Sequence, residues 1–204
     1  MTDESRSDAV SVLAFACSPR SGGNTDTLLA AALEGVEEAG ARIERFDLRA
    51  MQIAPCRHCG GCADGGGRCV IDDDMQRLYE PLRAADRIIV ASPIFFMSLT
   101  AQAKTMIDRC QPLWVRRRLG RGVSQARRER AGLYLGAGGS EFPHLFDAAR
   151  AVLASWYWTL QVFERRELTF RDTDRKGAIL DHPGALDQAR EAGRTLADWK
   201  TREE

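Results

Sequence analysis

The sequence contains no apolar run approaching the roughly 20 residues needed to cross a bilayer. Its first eight residues, Met1 to Asp8, are polar and lack the apolar stretch of a secretory signal. It also lacks a charge imbalance. With 29 basic and 29 acidic side chains there is no overall attraction to nucleic acid or to an acidic membrane. No internal repeat and no convincing linker interrupts the chain. The expectation is a cytoplasmic protein with a flexible tail over residues 1–10 and one domain over 11–204. A hydrophobic fraction of 44% is enough for an ordinary globular core.

Two phosphate signatures are missing as well. There is no Gly-Lys-Ser/Thr, which excludes a P-loop for nucleoside triphosphates. No Gly-x-Gly-x-x-Gly follows the first apolar run, so a dinucleotide fingerprint is absent.

What the chain does have is alternation. Val12 to Ala16 is a continuous apolar run of the kind that forms a strand buried on both faces. A helical stripe of Leu28, Leu29, Ala32, Leu33 and Val36 follows, ending near Gly40. A strand is expected around Ile43 to Leu48, and a helix through Met75, Leu78 and Leu82 opened by Asp73 and Asp74. Ile88 to Ala91 lies in a third strand, and Thr100 to about Leu113 reads as one helix. Further on come a strand at Ala131 to Leu135, a helix from Pro143 to Leu160, a strand at Val162 to Phe170 and a terminal helix through Leu196. Strands alternating with helices imply parallel crossovers, hence a doubly wound α/β sheet with helices on both faces. The stretch 116–130 carries seven arginines against one glutamate and reads as an extended, solvated connection. A sharper alternative is a docking patch for an acidic redox carrier or for the 2′-phosphate of NADPH.

In such a sheet, ligands bind beyond the carboxyl ends of the strands. The first of these turns, Ser18-Pro19-Arg20-Ser21-Gly22-Gly23-Asn24-Thr25, runs straight into a helix. Free amides at a helix start, glycines that let a ligand approach, short hydroxyls and Arg20 together suit a phosphate monoester. The second turn, Ser92-Pro93-Ile94-Phe95-Phe96, offers apolar contacts and backbone groups suited to a planar ring. The third, Gly136 to Ser140, again allows close approach. Each turn alone also suits an ordinary strand-to-helix connection or core filling; their recurrence at three strand ends favours a site.

Cys56, Cys59, Cys62 and Cys69 are spaced C-x2-C-x2-C-x6-C, with Gly65, Gly66 and Gly67 in the long gap. In a reducing compartment four thiols within 14 residues point to metal, cluster or redox chemistry rather than disulfides. The compactness is more like cubane iron–sulfur ligation than a paired zinc ribbon. Zinc or four free thiols remain compatible with it. His58 is assigned no role. Cys17 reads as a small core residue, and Cys110 as core or as part of a subunit contact.

Ser18 to Leu29, Ser92 to Phe96 and Ala101 to Arg109 (AQAKTMIDR) resemble the NADPH-dependent FMN reductase family of flavodoxin-like proteins. Pro55-Cys56 to Met75 resembles its iron–sulfur flavoprotein members. The resemblance implies a flavodoxin-like, five-stranded sheet. It also implies FMN phosphate on Ser18, Arg20, Gly23, Asn24 and Thr25, and the flavin ring beside Pro93, Ile94, Phe95 and Phe96, with Gly138 and Gly139 closing the far side. A [4Fe–4S] cluster on Cys56, Cys59, Cys62 and Cys69, NAD(P)H as donor, and a homodimer or homotetramer are implied as well. The expected partners are a small-molecule donor or acceptor, or a redox carrier protein. Phe95 stands where Tyr is frequent in that family, and Met97 where Gly is frequent. No general acid or base is assigned, because flavin hydride transfer does not require one. The alternatives are a cluster-free NAD(P)H-dependent FMN or quinone reductase, and a redox-responsive or zinc-stabilised binding module.

Overall fold

A computed structural model describes residues 9–199. The expected tail therefore lies largely outside the described residues. Five strands, β1 (Ser11–Ala16), β2 (Arg42–Asp47), β3 (Arg87–Pro93), β4 (Arg130–Ala137) and β5 (Val162–Phe170), form one sheet in the order β2-β1-β3-β4-β5. Every neighbouring pair is parallel. The helices are α1 (Asn24–Glu38), the single turn α2 (Gly61–Asp64), α3 (Gln76–Ala84), α4 (Ala101–Asp108), α5 (Gln111–Arg118), α6 (Asp147–Thr159) and α7 (Ala185–Asp198).

The two-residue period of the strands divides the core. From β1, Leu13 and Phe15 enter one layer with Ile88 and Val90 of β3, while Val12, Ala14 and Ala16 enter the other with Ile89 and Ala91. Residues of α3 to α6 fill the first layer, including Leu78, Met106, Leu153 and Trp156. The second is filled from α1 and α7 by Leu28, Leu29, Ala32, Ala189 and Leu196. These two helices approach so closely that a Cβ on Gly35 or Gly193 would fall 1.9 Å from a backbone oxygen of the other helix. Cys17 and Cys110 are both buried, and the Trp156 indole donates to Cys110 Sγ at 3.2 Å, so Cys110 belongs to the core. Burial pushes the Cys110 thiol up to about 12, which keeps it protonated.

Two expectations need correction. The helix read across 100–113 is broken at Arg109 and Cys110, where Cys110 N turns back to Ile107 O and Pro112, which has no N–H to give to Asp108 O, opens the next helix. The arginine-rich stretch is not one solvated connection. Arg116 to Arg118 complete α5, with the Arg117 guanidinium 3.8 Å from the ring centre of Trp158 and Arg118 over Trp114. Arg130 is buried at the start of β4 and donates to the carbonyls of Leu82, Ala85 and Leu160, which end α3 and α6. Arg87 does the same for Leu196 and Trp199 at the end of α7. A guanidinium satisfies several helix-end carbonyls at once and complements the negative helix end. Burial lowers the Arg130 pKa to about 10, so it stays charged at neutral pH.

Candidate functional site

The carboxyl ends of β1, β3 and β4 open side by side. Ile94 N donates to Ala137 O, and Cys17 N donates to Ala91 O, joining the three exits. Ser18, Arg20, Gly23, Asn24, Thr25, Pro93, Ile94, Phe95, Gly138 and Gly139 line one cavity there. Phe96 is the exception among the expected binding residues. Phe95 and Ser98 exchange backbone hydrogen bonds of 2.9 and 3.1 Å, and Phe96 lies fully exposed at the tip of that turn. Phe96 and Met97 have φ of 47° and 64°, positions where this turn favours Asn and Gly. Left-handed backbone at two such side chains costs about 1–2 kcal/mol each. Strain of this kind clusters at ligand-binding loops.

The β1–α1 end of the cavity gathers groups of the kind that suit an anion. Gly23 precedes α1 and no side chain caps the helix, so first-turn amides face outward. Thr25 is 1% exposed, yet its Oγ1 has no partner among the described residues. A Cβ at Gly23 would come within 3.3 Å of Arg20 O and 3.4 Å of Ser18 Oγ, so a side chain there would crowd the turn. Ser18 Oγ accepts from Arg20 N, shaping the turn. Asp26 is held at the same helix start, but Arg49 pairs with its Oδ2 at 2.8 Å and offsets its charge. Asn24 is placed differently. Its Nδ2 donates to the carbonyls of Thr173 and Arg175, and its Oδ1 accepts from Gly177 and Ile179. That uses the full capacity of the amide.

Ala137, from the third expected turn, also lines the cavity, and two lining residues escaped the sequence reading: Thr173 and Asp174. Thr173 and Asp174 follow β5 and belong to no motif. The available signal was topological, since β5 runs parallel to β4 and must open at the same sheet end.

The cysteine loop lies between β2 and α3. Cys56, Cys62 and Cys69 are half-buried and Cys59 is exposed. Among the described residues no three Cys, His, Asp or Glu side chains are grouped as metal ligands. The loop is nonetheless anchored. Arg109, 1% exposed, donates to Ala54 O, to both oxygens of Asp73, to Ile71 O and to Cys69 Sγ at 3.6 Å. Burial opposes ionisation of Cys69, but the Ile71 amide, the Tyr79 hydroxyl and Arg109 outweigh it and hold its pKa below the ordinary thiol value. Burial, then repulsion from Cys69 and Cys56, raises that of Cys62. Four soft sulfur donors, one of them held beside a cation, are chemically suited to a thiolate-bound metal centre. Asp73 also caps α3, accepting from Met75 N, which agrees with the expected acidic helix start.

A parallel β2-β1-β3-β4-β5 sheet, helices on both faces and a loop-lined cavity at the point where strand order reverses define a flavodoxin-like α/β protein. The chain belongs to the NADPH-dependent FMN reductase family, whose match runs over residues 10–167. It is 40% identical over 123 residues to an iron–sulfur flavoprotein of Methanosarcina thermophila, covering 60% of each chain. It is 32% identical over 90 residues to a putative NAD(P)H-dependent FMN-containing oxidoreductase of Bacillus subtilis, covering 44% of this chain and 46% of that one. The matched segments thus span about 60% or less of these relatives. Among solved structures, an NAD(P)H:quinone oxidoreductase from Methanothermobacter marburgensis superposes with a TM-score of 0.68 at 17% identity, covering 92% of this chain and 97% of that one. An FMN-dependent NADH-azoreductase of Bacillus anthracis, in complex with FMN, gives 0.65 at 14% identity, covering 92% and 99%. These two similarities concern the fold. No helix among the described residues is long and apolar enough to cross a membrane.

Proposed function

We propose that the chain binds FMN in this cavity and acts as an NAD(P)H-dependent oxidoreductase, with a [4Fe–4S] cluster on Cys56, Cys59, Cys62 and Cys69. The observation that carries the flavin assignment is the partnerless Thr25 hydroxyl, buried at the uncapped start of α1 within a cavity lined by all three loops. Thr25 Oγ1, the α1 amides and Arg20 bind the phosphate, with Ser18 and Gly23 shaping the cradle. Pro93, Ile94 and Phe95 supply the wall for the ring, and Gly138 and Gly139 let it approach the opposite loop. Bound FMN supplies hydride acceptance and single-electron release, and a cluster supplies single-electron transfer. For the cluster, this chain contributes four thiolates, with Arg109 and Tyr79 orienting Cys69. The names of the iron–sulfur relatives and the soft donor set support that part. The reading includes a cytoplasmic setting, a homodimer or homotetramer, and a small molecule or redox carrier protein as partner.

A second reading, a cluster-free NAD(P)H-dependent FMN or quinone reductase, is favoured by the ungrouped sulfurs. Anaerobic purification followed by a visible spectrum and iron, sulfide and zinc analysis separates them. Flavin with iron and labile sulfide supports the first; flavin alone, with NAD(P)H oxidation, supports the second. Zinc without flavin, or no saturable association with excess FMN, refutes both.

A further inference from the structure

The segment between β5 and α7 lies beyond residue 167, where the family match ends, yet it touches two of the three site loops. We infer that residues 171–179 form a fourth wall of the FMN cavity, in which Asp174 accepts hydrogen bonds from the ribityl hydroxyls and Asn24 is the positioning residue that holds this wall in place. The inference rests on the flavin reading above.

The segment is tied down at both sides. Towards the phosphate loop, the Asn24 amide makes its four hydrogen bonds to Thr173, Arg175, Gly177 and Ile179, and Lys176 Nζ donates to Ser21 O at 2.9 Å. Towards the glycine loop, Thr173 N and Thr173 Oγ1 both donate to Gly138 O at 3.1 Å. An amide with no capacity left cannot also serve a phosphate. Its work is to fix a distant stretch of chain against the head of α1.

Asp174 is the polar group that this arrangement delivers to the cavity. It lines the cavity and makes no hydrogen bond or ion pair among the described residues. Gly139 makes room for it, since a Cβ there would lie 2.7 Å from Asp174 Cβ and 3.0 Å from Oδ1. The side chains of Ser18, Asn24 and Thr173 spend their hydrogen bonds within the wall itself, and the α1 amides, Thr25 Oγ1 and Arg20 can donate and suit an anion. An ionised carboxylate only accepts, and it repels a phosphate. It therefore matches the part of FMN that carries donors and no charge, the polyol chain between phosphate and ring.

The test separates these roles by sign. Full-length wild type and Asp174→Asn are titrated with FMN and, separately, with inorganic phosphate, which has no polyol. The expected result is FMN binding about tenfold weaker in the variant, with phosphate binding unchanged or tighter because a negative charge is gone. FMN binding that is unchanged or tighter in Asp174→Asn overturns the inference while leaving the flavin reading intact. Wild type that binds phosphate but not FMN overturns both. Asn24→Ala should speed amide hydrogen exchange at Gly177 and Ile179 and weaken FMN binding. Adding Asp174→Asn to it should cause no further loss, whereas fully additive losses overturn the positioning role. Should Asn24→Ala fail to fold, Asn24→Asp, which keeps the acceptors but not the donors, gives the same comparison.

Discussion

Replacing Thr25 by Val keeps the shape of the side chain and removes its hydroxyl. That hydroxyl is buried and has no partner among the described residues, and a buried hydroxyl left unpaired costs about 1–3 kcal/mol. The variant should therefore be more stable without FMN, by about 1 kcal/mol or more, which for a chain of this size raises Tm by about 2–4 °C. A hydrogen bond to a charged phosphate contributes about 1.5–3 kcal/mol. At 1.4 kcal/mol per decade, its loss weakens FMN binding by about 10- to 100-fold. One substitution thus moves two quantities in opposite directions. Denaturant unfolding of the FMN-free protein reads the first, and quenching of FMN fluorescence on titration reads the second. Thr27→Val is the control, because Thr27 Oγ1 already donates to Gly23 O within the helix. A Thr25→Val protein that is less stable without FMN, and binds FMN with unchanged affinity, would refute the reasoning.

Two further predictions concern the scaffold. Arg130→Met leaves the carbonyls of Leu82, Ala85 and Leu160 unpaired; at about 1 kcal/mol each, the loss is about 3 kcal/mol, or a Tm lower by about 6–12 °C. Urea unfolding should show this with FMN affinity per folded molecule unchanged. For Asp73, burial opposes ionisation, but Arg109 and the amides of Ala54 and Met75 hold the carboxyl below the usual carboxylate range. Its stabilising contribution is fully present above the unfolded value of about 4 and is lost as pH falls through the lower folded value. Asp73→Asn should thus lower stability at neutral pH and flatten its decline in acid, as read by unfolding free energy from pH 7 to 3.

Much of this architecture was legible in the residues themselves. The apolar runs Val12 to Ala16 and Ile88 to Ala91 lie within β1 and β3, and Val162 to Phe170 coincides with β5. Continuous apolarity at the sheet centre reports burial on both faces, as a parallel, helix-covered sheet provides. Ten of the eleven expected flavin-site residues line one cavity because turns at parallel strand ends must converge. The arginines were read wrongly for a physical reason. Composition gives the charge of Arg130 but not the three carbonyls that make its burial tolerable. The break at 109–110 was legible in Pro112, whereas the burial of Arg109 was not, since its partners Ala54, Ile71 and Asp73 lie far away in the sequence. Thr173 and Asp174 carry no phosphate or ring signature, and their position follows from strand direction alone.

The guanidinium groups of Arg87 and Arg130 sit at the opposite pole of the sheet from the cavity, at the amino ends of β3 and β4. The same strands therefore begin in an anchorage and finish in a workplace. Damage to the first should reach the laboratory as protein lost to aggregation, and damage to the second as well-behaved protein that has lost its yellow colour. A mutant collection sorted by yield and by colour would divide along the length of the strands.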